Sequence, residues 1–167
     1  MIFIKKKLLI LIVIFALVGI TAVNSFATST QDFDGLFTMD VPIGQHYSDS
    51  VWCISNKPLY CIKKYCEDDS DCEIGEHDFV VYYYDNSQLF EGESNAAEHA
   101  VHAATTTFLY EFYHRDGDLI VLYNDLGMHN VPEYLVGVTN DDGSKMVFVG
   151  GYDLNMLKSY ANSVKFS

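Results

Sequence analysis

Two Asp-Gly pairs, each set between apolar and β-branched runs, constrain this chain more than any other feature. In "TTFLYEFYHRDGDLIVLYND" the pair is Asp116-Gly117, and in "YLVGVTNDDGSKMVFVGG" it is Asp142-Gly143. Both residue types tolerate the positive φ angles of a two-residue hairpin turn, so each segment reads as two strands folded back on one another. "HDFVVYYYDN", rich in β-branched and aromatic residues and closed by the turn signal Asp85-Asn86, reads as a fifth strand, and "LFTMDVP" as a sixth. The hairpins make most neighbours antiparallel.

Two segments carry the helical period instead. In "SNAAEHAVHAATTTF", Ala97, Ala100, Val101 and Ala104 recur at i, i+3, i+4 and i+7, with Ser94 placed to cap. In "YDLNMLKSYANSVKF", Asp153 caps a helix whose apolar stripe is Leu154, Leu157, Ala161 and Val164. Each helix has one apolar stripe, so each should lie on a face of the sheet. The expected fold is α+β: a mostly antiparallel sheet of about six strands packed with two amphipathic helices.

An N-terminal signal or anchor helix precedes that domain. Lys5, Lys6 and Lys7 stand before an apolar run from Leu8 to Val23, and Ser25 and Ala27 supply the small residues of a cleavage site. Residues 1–27 therefore read as a signal peptide cleaved after Ala27, the alternative being an uncleaved membrane anchor. In both readings residues 28–167 form a single extracytoplasmic domain, secreted or held on the outer face of the membrane. No cysteine lies near the cleavage region, which excludes a bacterial-type lipid anchor there.

The whole chain has a net charge of −13, and loss of the three leader lysines makes it more acidic still. Nucleic acid is excluded as a partner, because phosphate binding requires a basic surface that releases counterions. Membrane association is expected only through the N-terminal segment, since an anionic lipid surface repels such a domain.

Residues 53–78 form a cysteine-rich acidic insert. Cys53, Cys61, Cys66 and Cys72 fall close together, and outside the cytoplasm four such thiols point to two disulfides, with three connectivities open. A zinc site would call for paired C-x-x-C spacings, which the segment lacks. Within "CEDDSDCEIGEHD", Glu67, Asp69, Asp71, Glu73 and Asp78 approach the register of a calcium loop. Cys72 stands where the sharp turn needs glycine, and Asp78 where the bidentate glutamate belongs. The expectation is a solvated acidic loop closed by cysteines, with no cofactor beyond weak calcium or zinc.

His99 and His102, at i and i+3 on the first helix, lie opposite its alanine stripe. They are therefore expected to be exposed and able to chelate a divalent ion with Glu98. His46, His114 and His129 read as ordinary surface residues. Tyr82, Tyr83, Tyr84, Tyr110, Tyr113 and Tyr123 fall on expected strands, alternating between faces, so that some ring surface is left for a glycan or peptide.

The ending "GVTNDDGSKMVFVGGYDLNMLKSYANSVKF", together with the early "FTMDVPIG", resembles small exported proteins of methanogenic archaea, and its strand-then-helix close is similar to the broader Mog1/PsbP-like α/β sandwiches. The resemblance covers the last 35 or so residues and the first strand, and it transfers no catalytic residue. It implies an archaeal cell-surface binding or assembly module.

No nucleophile elbow, H-E-x-x-H helix, phosphate loop or dinucleotide fingerprint occurs. The function expected from the sequence is thus a non-catalytic extracellular or cell-surface binding or structural module, its partner an extracellular protein, a glycan or a cell-wall component. A divalent-metal-binding protein using the Cys66 to Asp78 loop or the His99/His102 face comes second, and a hydrolase of unknown class third.

Overall fold

The computed structural model describes residues 27–48, 63–66, 75, 77–127 and 131–167. It is an α+β fold. The strands are β1 (Thr28–Phe33), β2 (Phe37–Pro42), β3 (His46–Ser48), β4 (Lys63–Cys66), β5 (Phe79–Asp85), β6 (Glu111–Asp116), β7 (Leu119–Tyr123), β8 (Tyr134–Thr139), β9 (Lys145–Gly151) and β10 (Lys165–Phe166). The helices are α1 (Ala96–Thr107) and α2 (Leu154–Ser163), with a 3-10 turn at Asn86–Gln88. Seven strands form one sheet in the order β3-β4-β5-β9-β8-β7-β6, and β1-β2-β10 form a second. Every described pairing is antiparallel.

The sheet count corrects the expectation of about six strands in one layer. "LFTMDVP" contributes β2 to the small sheet, not to the large one. Its partner β1 was not expected, although Asp34-Gly35 repeats the Asp-Gly pair of the two hairpins that were, here with both residues at positive φ, 56° and 72°. In the β6–β7 hairpin Asp116 pairs with Leu119, so the central turn residues are Gly117 and Asp118, one place beyond the expected pair. Gly143, at φ 72°, lies in the β8–β9 turn as expected, but Thr139 pairs with Met146 and the Asn140 N–H donates to the Lys145 carbonyl, so four residues, Asp141 to Ser144, make the turn where a two-residue one was expected.

Alternation along the large sheet divides its side chains between two cores. One face, with Phe79, Val81, Tyr83, Val136, Val147 and Val149, is covered by α2 and by Phe33, Phe37, Met39 and Val41 of the small sheet. The Phe37 ring stacks on Tyr83 at 5.8 Å between the two sheets. The other face, with Tyr84, Leu122, Leu135, Met146 and Phe148, packs against Ala96, Ala100 and Ala104 of α1. The two helices therefore sit on opposite faces, as their single apolar stripes require.

Small residues set the spacing on the α1 side. A Cβ at Gly137 would come within 2.4 Å of Met146 Cε and 2.6 Å of Phe148 Cε1, so the Met146 and Phe148 side chains occupy the space its absence leaves. On the α2 side, Leu157, Tyr160 and Ala161 are buried and Leu154 and Val164 half-buried. The Asp153 carboxylate accepts hydrogen bonds from the N–H groups of Asn155 at 3.0 Å and Met156 at 3.1 Å, as its capping role requires. Lys158, on the same helix, reaches Asp116 Oδ2 at 2.7 Å and ties α2 to the β6–β7 turn. That hydrogen bond and charge hold the Asp116 carboxyl below its ordinary range.

Candidate functional site

Where α1 begins, the sequence expectations need revision. Asn95, not Ser94, is the cap: its side chain accepts the Glu98 N–H at 2.9 Å, while Glu98 Oε2 accepts the Ser94 N–H at 2.9 Å. Glu98 is thus engaged in the helix start, away from any chelating group. The buried positions of α1 are Ala96, His99, Ala100 and Ala104, with Ala97 and Val101 half-buried. The stripe is rotated so that His99, expected on the exposed face, is 1 % exposed. The physical reason is Glu93. Its Oε2 lies 2.6 Å from His99 Nδ1 and its Oε1 lies 2.9 Å from His102 Nδ1, and the Phe90 N–H adds a third bond at 2.7 Å. One carboxylate satisfies Nδ1 of the buried imidazole and pins the preceding loop onto the helix, while His99 Nε2 stays buried with no hydrogen-bond partner among the described residues.

Desolvation pushes the Glu93 carboxyl up, but the hydrogen bonds from His102, the Phe90 N–H and His99 outweigh it and hold it down at about 2. The His99 ring lies edgewise against Phe90 at 4.8 Å and Tyr84 at 6.0 Å, so it is part of the α1 core. His102 keeps its exposure. The two histidines do not share an open face, and their Nδ1 atoms both turn to Glu93.

Of the acidic insert, Cys53, Cys61, Cys72, Glu67, Asp69, Asp71 and Glu73 lie outside the described residues. Cys66 ends β4, opposite His46 of β3. Asp78 is described and departs from expectation: it is 6 % exposed, and its Oδ2 accepts the Gly75 N–H at 2.6 Å. A carboxylate folded back onto its own backbone closes a tight turn and is not part of a solvated loop. Among the described residues, no group of three or more His, Cys, Asp or Glu side chains is arranged to hold a metal ion.

The tyrosines separate clearly. Tyr83, Tyr84 and Tyr110 are buried. Tyr110 precedes β6 rather than lying in it, and its hydroxyl donates to the Pro132 carbonyl. Tyr113 and Tyr123, by contrast, lead to a cleft.

That cleft, about 200 Å³ in volume, opens at one end of the large sheet. Registry builds it. Tyr123 ends β7 and pairs with Tyr134 at the start of β8, which pairs with Gly151 at the end of β9, so Tyr123, Glu133 and Tyr152 arrive together from distant parts of the chain. The Asn124 N–H donates to the Glu133 carbonyl at 2.8 Å, extending the ladder one step and setting Asp125 near Glu133 at the mouth. The Asn124 side chain is committed to the floor, with Nδ2 donating to the Phe108 carbonyl at 2.7 Å and Oδ1 accepting from the Leu126 N–H at 2.9 Å. Gly127 and Val131 complete the wall.

Tyr123 belongs equally to an aromatic cluster on the α2 face. Its ring lies 5.2 Å from Tyr134 and 6.0 Å from Tyr113, with Tyr113 and Tyr134 6.3 Å apart. The register of β6 slips between Phe112 and His114, and Tyr113 is the extra residue of this bulge. A bulge re-aims a side chain, and here Tyr113, His114 and the neighbouring tyrosines gather on one face. Burial raises the Tyr134 phenol above its ordinary value, and the hydrogen bond and charge of Glu133 raise it further, so it keeps its proton.

Asp125, Glu133, Tyr134 and Tyr152 have no motif in the sequence. The one available signal is position: each stands at or beside a strand end, and those ends meet only once the hairpin registers are known.

No family model matches the chain, and no curated protein and no solved structure matches it.

Proposed function

We propose that the chain is a non-catalytic binding module working outside the cytoplasm, with the cleft between Tyr123 and Tyr152 as its ligand seat. The observation that carries the reading is the continuity of cleft and aromatic cluster through Tyr123. A concave, partly apolar site with a few convergent polar groups is the usual form of a ligand pocket. Tyrosines with one ring face dry and one wet are suited to recognition. The leader-like residues 1–27 support the location, and the partner is an extracellular protein, a glycan or a cell-wall component.

The test is a titration of the full chain with a panel of short peptides and oligosaccharides, followed by calorimetry and by product analysis. A ligand that binds the native protein, is lost in Tyr152→Ala and is recovered chemically unchanged supports the reading. Turnover of a bound glycoside, ester or peptide would replace it with the hydrolase, and ligands that bind equally well to Tyr152→Ala would move the seat elsewhere.

A further inference from the structure

The lining of the cleft carries the argument one step further, to the charge of the ligand; this step rests on the cleft being the ligand seat. Its two ionisable side chains other than tyrosine, Asp125 and Glu133, are both acidic, and among the described residues no lysine, arginine or histidine lines it. Glu111 stands directly opposite Tyr123 in the β6–β7 register, which brings a third carboxylate to the aromatic side. The Asn124 amide is already committed to Phe108 and Leu126, so the polar groups left for a ligand are dominated by acceptors.

The rings discriminate in the same direction. Tyr113, Tyr123 and Tyr134 are tilted to one another by 42°, 43° and 59°. Canted rings offer no flat platform for a sugar ring to lie on. They do offer negative π faces beside carboxylates, the combination that attracts a cation. Size agrees, because about 200 Å³ lies below the roughly 300–1,000 Å³ of a drug-sized site and suits a single alkyl-ammonium group. The net charge of −13 adds a long-range field that draws cations toward the protein.

We propose that the cleft lined by Tyr123 and Tyr152 binds an alkyl-ammonium group, held by Asp125 and Glu133 beside those two rings. Two sources supply such a group, a lysine-bearing peptide and a free polyamine, and the experiment separates them. The full chain is titrated calorimetrically at low ionic strength with tetralysine, with spermine, with tetralysine acetylated on every side-chain amine, and with cellotetraose. The result expected is one-to-one binding of tetralysine or spermine, at least tenfold weaker in the near-isosteric Glu133→Gln and in Asp125→Asn. Binding should be unchanged in Asp118→Asn, which removes an equal charge from the distant β6–β7 turn. The better binder of the two identifies the source, and acetylated tetralysine should bind at least tenfold more weakly than tetralysine.

Equal weakening in Asp118→Asn would overturn the proposal, since attraction would then belong to the whole acidic surface. Cellotetraose binding that depends on Tyr152, with no binding of either amine, would overturn the charge assignment and leave the seat intact. Ligands that bind without regard to Tyr152, Asp125 or Glu133 would sink both.

Discussion

Nδ1 of His99 lies 2.6 Å from Oε2 of Glu93, one residue buried in the first helix and the other in the loop that leads to it. The contact satisfies one ring nitrogen of a polar side chain inside an alanine stripe, leaving Nε2 buried without a partner among the described residues, and it makes the first turns of α1 depend on a carboxylate six residues before His99.

The dependence on pH follows from its sign. The Glu93 carboxyl is held down at about 2 in the folded chain, against 4.5 when unperturbed. A depressed folded value contributes stability that is fully present above about pH 4.5 and is lost as the pH falls toward 2. Glu93→Gln should therefore lower the melting temperature at pH 7, and the gap from the native protein should narrow between pH 4.5 and 2. A gap of the same size at both ends would mean that the shape of the side chain matters and its charge does not.

Leu157, fully buried on α2 between the two sheets, should cost about 2–5 kcal/mol when changed to alanine, a large part of the stability of a domain this size. Ser159, two residues on and exposed, should change stability by no more than about 0.5 kcal/mol in Ser159→Ala. Urea unfolding of the two variants makes the comparison, and equal midpoints would contradict the packing of α2.

Gly137→Ala should destabilise by about 1–3 kcal/mol, because the added methyl meets Met146 and Phe148 in a filled layer and those side chains must leave their rotamers. Thermal unfolding reads the loss. An unchanged midpoint would show that the α1 face has slack.

Legibility in the sequence followed the kind of force at work. Asp142-Gly143 and the apolar strands beside it carry their turn locally, so the β8–β9 hairpin was readable. Asp34-Gly35 carries the same signal, but its first strand, "TSTQDF", is polar and mostly exposed, with Phe33 its one buried residue. A strand on the edge of a small sheet has little apolar period to display. The α2 stripe could be read because its large residues face the core, whereas α1 packs through alanines, which tolerate a rotation of the helix until Glu93 settles it. The cleft was the least legible part. Its residues are joined by strand register across β7, β8 and β9, and no local pattern records which strand ends will become neighbours.

The position of β9 between β5 and β8 has a kinetic consequence. The β6–β7 and β8–β9 hairpins close through short turns, and only ten residues separate β7 from β8, so these four strands can assemble by local zipping. Pairing β9 with β5, from Asp85↔Lys145 to Phe79↔Gly151, must instead close a loop of about 60 residues, an entropic cost met before any contact rewards it. During synthesis β5 therefore emerges long before its partner. For that interval a strand apolar on both sides, "FVVYYYD", has one bare edge, and it is there that premature association of chains would begin.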